Sequence, residues 1–221
     1  MSAAGWGGAP VPTLTIAVPR GALFGETLDL LARLGIDTTE VRENERRLLF
    51  ADVGIVTMRP SDVPTYVEHG AADVGITGKD VLLEQAHREV YELLDLGYGL
   101  CRMIVAQPEG PDALAESLTR LGAVRVATKY PRIATEHFAS TGRQAEIVEV
   151  KGSVELAPLT GLVDAIVDLT ASGRTLAENH LTEREEIVVC TARLIANPVA
   201  HKLKAAAVDD LVARLRELAG P

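Results

Sequence analysis

The sequence predicts an α/β protein built as two α/β lobes with a hinge. Three observations carry this. Short apolar runs alternate with segments at helical spacing, the rhythm of strands covered by helices. The rhythm stops at a Pro/Gly-rich break, "PEGPD" (108–112), and then resumes. Two stretches, near 99–107 and 186–194, are placed to act as paired crossovers, which implies a cleft and a hinge. Such clefts are where ligands sit.

In chain order, "LTIAVP" (14–19) reads as a strand. "GETLDLLARLG" (25–35) follows as a helix, with Leu28, Leu31 and Leu34 on one face and Gly35 as its stop. "VGIVTM" (53–58) is a strand and "SDVPTYVEHG" (61–70) a helix between the N-cap Ser61 and Gly70. "ADVGIT" (72–77) is a strand, and "GKDVLLEQA" (78–86) starts a helix. This βαβα order predicts a mostly parallel sheet.

The second unit repeats the scheme. Strands are expected at 101–107, 124–128, 145–150 and 164–169, with helices at 130–142 and across "SVELAPLTGL" (153–162). "EEIVVCTARLIA" (185–196) reads as one strand long enough to leave one lobe and enter the other. "HKLKAAAVDDLVARLREL" (201–218) is a terminal helix with Leu203, Ala207, Leu211 and Leu215 on its apolar stripe. The expected division is a flexible extension over 1–12, lobe I over 13–104 plus 190–221, and lobe II over 105–189.

Composition narrows the function. The 221 residues are 47% apolar and 24% charged, enough to bury a core. A net charge of −9 argues against nucleic acid, whose phosphates require a basic face. No run approaches the ~18 apolar residues of a membrane span, so no membrane partner is expected. The N-terminal "MSAAGWGGAPVP" has no Lys, Arg or apolar core, so it is no secretory signal and a cytoplasmic location is expected. Cys101 and Cys190 are far apart in sequence with no metal-ligand spacing, and read as two buried strand cysteines. The five histidines are scattered, without a paired acid that would make one a triad base.

The stretch "VDLTASGRTL" (167–176) concentrates chemistry. Asp168 is expected at the carboxyl end of a parallel strand, the usual ligand edge of an α/β sheet. Thr170, Ser172 and Thr175 offer hydroxyls around Ala171 and Arg174. Gly173 lets the backbone turn and present its N–H groups. A short helix is expected to begin near Thr175 with its positive end toward the loop. The sum is a phosphate cradle with one acid beside it. It is neither GxxxxGK[ST] nor GxGxxG, and on chemistry alone an ordinary Ser/Gly turn is an equal reading.

The wider stretch "ELAPLTGLVDAIVDLTASGRTL" (155–176) resembles the signature of ATP phosphoribosyltransferases, the first enzymes of histidine biosynthesis. Glu155, Gly161, Asp168, Ser172, Gly173, Thr175 and Leu176 match it. "AVPRGAL" (17–23), "RPSDVPTYVEHGAADVGITGKDVLLE" (59–84), "YELLDLGYGLCRMIVA" (91–106), "RVATKYPRIATEHFASTG" (125–142) and "TARLIAN" (191–197) are similar to the family in the same order. Three departures stand out: Arg20 for a usual lysine, Ala22 for a frequent arginine, and Val163 for a small residue. Arg46 and Arg47 are candidates to replace the charge lost at Ala22.

The resemblance implies a fold like the type II periplasmic binding proteins and a transfer between two polyanions. Adenine N1 of ATP attacks the anomeric carbon of phosphoribosyl pyrophosphate (PRPP), and magnesium pyrophosphate leaves. Positioning and electrostatics should dominate. It implies Asp168, Glu155, Arg59 and Arg46 as catalytic residues. PRPP falls to Asp168, Thr170, Ala171, Ser172, Gly173, Arg174 and Thr175, in lobe II. ATP falls to Arg20, Gly21, Leu23, Gly78, Lys79, Asp80 and Tyr130. Mg²⁺ enters as a cofactor on substrate phosphates, without direct protein ligands.

Long family members carry a further regulatory domain of roughly 80 residues, a small-domain size, and this chain resembles the short form. That form implies a partner resembling the histidyl-tRNA synthetase core, in a hetero-octamer inhibited by histidine, and a homodimer of the catalytic chain. Two alternatives differ in class. A small-ligand binding module of the same fold would bind without turnover. A phosphoribosyltransferase for another base would usually have two adjacent acids, whereas Asp168 is followed by Leu169.

Overall fold

The computed structural model describes residues 13–219, so the extension expected over 1–12 lies outside the described residues. The chain forms two compact units, one of residues up to Gly99 together with those from Thr191 onward, the other Leu100–Cys190. The junctions fall at 99/100 and 190/191, not at the expected 104/105 and 189/190. The physical reason is pairing. The strand that a cut at 104 would divide spans Cys101–Pro108 and is hydrogen-bonded along its length within the second unit.

The first unit runs β1 (Ile16–Pro19), α1 (Phe24–Arg33), α2 (Thr39–Glu43), β2 (Leu49–Phe50), β3 (Ile55–Met58), α3 (Val63–Glu68), β4 (Val74–Gly78), α4 (Lys79–Glu84) and β5 (Tyr91–Asp95). The second runs β6 (Cys101–Pro108), α5 (Ala113–Leu121), β7 (Val124–Thr128), α6 (Pro131–Ser140), β8 (Ala145–Glu149), α7 (Leu156–Leu159), β9 (Ala165–Thr170), α8 (Arg174–Glu178) and β10 (Leu181–Cys190). The chain then returns to the first unit as β11 (Ala192–Ala196), α9 (Pro198–Leu203) and α10 (Ala205–Ala219).

The sheet of the first unit has the order β2-β3-β1-β4-β11-β5, and that of the second β10-β6-β9-β7-β8. Both are mixed rather than mostly parallel. β1 lies parallel to β3 and β4, and β7 to β8 and β9. The other pairs are antiparallel. Connectivity explains this: the chain enters the second unit along β6 and leaves along β10, so the two strands run in opposite directions side by side. The expected single strand over 185–196 is two strands broken at Thr191, one in each sheet.

Strand alternation sends Ile16 and Val18 to one face of the first sheet, against Leu28, Leu31, Phe50 and Leu215. Ala17 goes to the other face, against Val63, Val67 and Ile195. In the second unit Ile104, Ala127, Val163, Ile166 and Leu176 share a core, so the Val163 departure is accommodated in packing. The terminal helix differs from expectation. The chain breaks at Lys204 between α9 and α10, Leu203 is 77% exposed, and the buried stripe is Val208, Leu211 and Leu215. α9 is capped by Asn197, whose side chain accepts the Ala200 N–H at 2.8 Å, and opens with Pro198.

One glycine on β4 sets how closely a helix approaches. A Cβ at Gly75 would fall 2.6 Å from Val63 Cγ1 and 2.8 Å from Val67 Cγ2, both on α3. Gly75→Ala must push α3 off the sheet, at an overpacking cost of about 1–3 kcal/mol. The expected result is a lower thermal midpoint with unchanged secondary-structure content, measured by circular dichroism.

Candidate active site

In the second unit the chemistry-bearing residues gather at the carboxyl ends of β7, β8 and β9. Asp168 lies near the end of β9 and is 6% exposed. Its Oδ1 accepts the Leu169 N–H at 2.8 Å and lies 3.4 Å from the Lys129 ammonium. Lys129 follows β7, whose Thr128 is in register with Val167 of β9. Burial pushes the Asp168 carboxyl above its usual range, the Lys129 charge and the Leu169 N–H pull it down, and the Glu155 carboxylate pushes it up again. Glu155, at the start of α7, is therefore an electrostatic neighbour of Asp168.

The loop after β9 is shaped by its own side chains. The buried Thr170 hydroxyl accepts the Gly173 N–H at 2.9 Å, and Ser172 Oγ accepts the Arg174 N–H at 3.4 Å. Gly173 has φ +73, the left-handed turn that favours glycine. Ala171, Ser172, Arg174 and Thr175 are exposed. The expected short helix is present as α8, which begins at Arg174; with five residues its dipole adds little. Thr170 holds the loop, leaving Ser172 and Thr175 as its accessible hydroxyls.

In the first unit Arg20 and Arg59 leave the adjacent strands β1 and β3, where Pro19 is in register with Met58. Their surroundings differ. Arg20 Nε donates to Thr57 Oγ1 at 2.9 Å, and its Nη2 donates to the carbonyls of Asn44 and Arg47 at 3.0 and 2.8 Å. It ties the turn before β2 to the sheet. The guanidinium groups of the exposed Arg59 and Arg46 have no such partners among the described residues. Arg47, named with Arg46 as a replacement for Ala22, is engaged with Glu40, the Leu49 carbonyl and the Phe50 ring. That leaves Arg46 as the uncommitted cation of the two.

The remaining first-unit candidates also carry structural duties. Lys79 Nζ donates to Glu92 Oε2 at 2.7 Å. Asp80 is buried and folds back over Gly78, where a Cβ would clash with its carboxylate. Leu23 packs over Gly99, which has φ +67, and Gly21 turns the chain with φ +88. Tyr130, in the second unit, immediately precedes α6 and donates its N–H to Thr128 Oγ1 at 2.9 Å. His137, expected to lack an acid, has one: its Nε2 lies 2.8 Å from Glu185 Oε2. Arg143 shares that carboxylate and holds it below its usual range.

Lys129 is the site residue that sequence reasoning misses, since strand pairing rather than sequence proximity brings it to Asp168. Among the described residues no group of three or more His, Cys, Asp or Glu is arranged to hold a metal ion.

The ATP phosphoribosyltransferase family model matches residues 59–217, which include Arg59, Lys129, Glu155, Asp168 and the loop after β9. The chain belongs to the ATP phosphoribosyltransferase family. A relative of that name from Rubrobacter xylanophilus is 51% identical over 203 residues, covering 90% of this chain and 94% of its own. The solved ATP phosphoribosyl transferase (HisG:HisZ) complex from Thermotoga maritima contains a chain similar at 35% identity and TM-score 0.77, over 93% of this chain and 98% of that one. The periplasmic aliphatic sulphonate binding protein SsuA from Escherichia coli shares the fold at 14% identity and TM-score 0.62, over 93% of this chain and 72% of that one. The type II periplasmic-binding-protein-like fold expected of an ATP phosphoribosyltransferase is thus present. Arg20 makes three hydrogen bonds that a single ammonium would not reproduce in planar geometry.

Proposed function

We propose that the chain catalyses the first step of histidine biosynthesis, transferring the phosphoribosyl group of PRPP to N1 of ATP with release of pyrophosphate. The observation that carries this reading is the buried Asp168, paired with Lys129, beside the hydroxyl-rich loop after β9. In this reading the 5-phosphate of PRPP is held by Ala171, Ser172, Gly173, Arg174 and Thr175, within the turn that Thr170 shapes. Asp168, with the Lys129 ammonium beside it, accepts from the ribose hydroxyls and supports positive charge developing on the sugar ring. Glu155 adds a second carboxylate on the same side. Arg59 and Arg46 bind the pyrophosphate and stabilise its charge as the bond to the anomeric carbon breaks. Arg guanidinium suits phosphate oxygens through paired N–H donors.

The nucleophile is a ring nitrogen with its lone pair in place, so these residues position substrate rather than abstract a proton. ATP is assigned to the surfaces near Gly21, Lys79 and Tyr130. Arg20, Leu23, Gly78 and Asp80 act there by fixing the backbone. The hard carboxylate oxygens of Asp168 and Glu155 suit a hydrated Mg²⁺ that arrives on the pyrophosphate. That ion would neutralise the leaving group.

The similarity to a chain of the Thermotoga maritima HisG:HisZ complex supports a HisZ-like regulatory partner for this chain. A short-form assembly of homodimers with that partner, in a hetero-octamer, belongs to the same proposal. So does a cytoplasmic location. Among the described residues no helix is long and apolar enough to cross a membrane.

The test is turnover of ATP and PRPP with Mg²⁺ by the purified chain, followed by the near-ultraviolet change at N1-substituted adenine. Inorganic pyrophosphatase pulls the reaction forward. The expected result is a signal that needs both substrates. Its absence with and without the regulatory partner, alongside retained PRPP binding, would favour the binding-module reading.

A further inference from the structure

The chain has two cysteines, and β-pairing makes them partners. Cys101 opens β6, Cys190 closes β10, and the antiparallel register sets them directly opposite one another. In sequence they are distant and look unrelated. Residues opposite in an antiparallel ladder point to the same face, with Cα atoms ~4.5 or ~5.5 Å apart according to ladder position. Both spacings lie within the range that a disulfide spans. Both residues are thiols in this structure.

Their place in the chain gives the pairing a consequence. Cys190 is the last residue of the second unit, and Cys101 is one residue from its start. They lie on the two strands by which the chain enters and leaves that unit. Arg102, next to Cys101, is in register with Thr170, the residue that shapes the loop after β9. Beyond the junction the crossover segments stay together, with the Ala192 N–H donating to the Tyr98 carbonyl at 2.9 Å.

From this register we infer that Cys101 and Cys190 form a reversible redox site, a cross-strand disulfide that closes the second unit at its own entry and exit. The oxidant is a low-molecular-weight disulfide such as oxidised glutathione. Cys101 is half-buried and Cys190 is 1% exposed, so exchange starts at Cys101. The Cys101 thiolate attacks one sulfur of the oxidant. One glutathione thiolate leaves, and a mixed disulfide remains on Cys101. The Cys190 thiolate then attacks the Cys101 sulfur and expels the second glutathione. The protein loses two electrons and two protons, and one oxidised glutathione becomes two reduced molecules. The product ring encloses most of the unit, and cross-linking over a long loop raises stability by restricting the unfolded chain.

The experiment equilibrates the full chain with oxidised glutathione under native conditions, then alkylates, maps peptides without reduction and records a thermal melt. The expected result is a loss of both thiols, a peptide pair joining Cys101 to Cys190, a monomeric non-reducing band and a raised thermal midpoint that dithiothreitol reverses. Cys101→Ala and Cys190→Ala are each expected to show no such rise. Persistence of both thiols in excess oxidant would overturn the inference. So would glutathione retained on Cys101, a cross-link between chains, or the same rise in either variant. None of these readouts depends on turnover, so the inference and the enzymatic reading fail separately.

Discussion

Asp168→Asn is expected to lower turnover by about 10²–10³-fold, the scale of losing one preorganised electrostatic contact to a developing charge, while making the chain more stable at neutral pH. The two effects share one cause. Asp168 is buried, and its carboxyl lies above the ordinary carboxylate range because burial outweighs the help of Lys129 and the Leu169 N–H. The folded chain therefore holds this proton more tightly than the unfolded chain. Stability falls as pH rises from the ordinary value through the raised folded value, and at neutral pH the ionised group is a net cost. Asparagine keeps the size and an oxygen for the Leu169 N–H but carries no charge. Lys129, with 41% of its side chain exposed, retains water when its partner is neutralised. Melting curves across pH check this. The mutant's midpoint should exceed that of the parent at pH 7, and the gap should close as pH falls through the window above the ordinary carboxylate value. A destabilised mutant at pH 7 would show that the Lys129 pairing outweighs burial.

Arg59→Ala should have the opposite profile, a large kinetic loss without a change in stability. The Arg59 side chain is exposed and without a polar partner among the described residues, so its removal should alter folding by no more than about 0.5 kcal/mol. If Arg59 binds pyrophosphate, kcat/KM for PRPP should drop about 10²-fold or more, the cost of removing a charge-assisted phosphate contact in a transition state. Arg59→Lys should recover only part, since an ammonium keeps the charge but not the paired donors. Steady-state kinetics with varied PRPP, beside a thermal melt, separate these outcomes. Unchanged kinetics in Arg59→Ala would remove Arg59 from the site.

The site is legible in sequence where its chemistry is contiguous. Asp168 and the loop to Thr175 fall within eight consecutive positions, and their order alone suggests a cradle. Lys129 is not legible for the converse reason. It meets Asp168 only because β7 pairs in parallel with β9. Cys101 and Cys190 are hidden in the same way by the β6–β10 register. Arg20 reads as a ligand cation because a positive charge after a strand has one sequence signature, whether it meets phosphate or the carbonyls of Asn44 and Arg47.

Strands and helices are legible where burial imposes a period. Sheet direction is not, because alternation of apolar residues looks the same from either end of a strand. Helix α5 leaves local marks, with Asp112 accepting the Ala115 N–H at 3.1 Å and Gly122 in the left-handed region at its end. They are masked by "PEGPD", which reads as a break alone. β5 escapes notice as an edge strand with all five of its residues at least partly exposed, which leaves little burial to impose alternation.

The position of β11 has a consequence for how the chain is made. It lies between β4 and β5, so β5 gains its sheet neighbour only when the segment after Thr191 has been synthesised. The second unit, Leu100–Cys190, is by then complete. On the ribosome the order of maturation is therefore inverted relative to the order of translation: the middle of the chain can reach its final form while the beginning still waits for the end. Until then β4 exposes an unpaired edge, a surface prone to pairing with a neighbouring nascent chain. A stall before Ala192 would release a polypeptide with one finished half and one adhesive half.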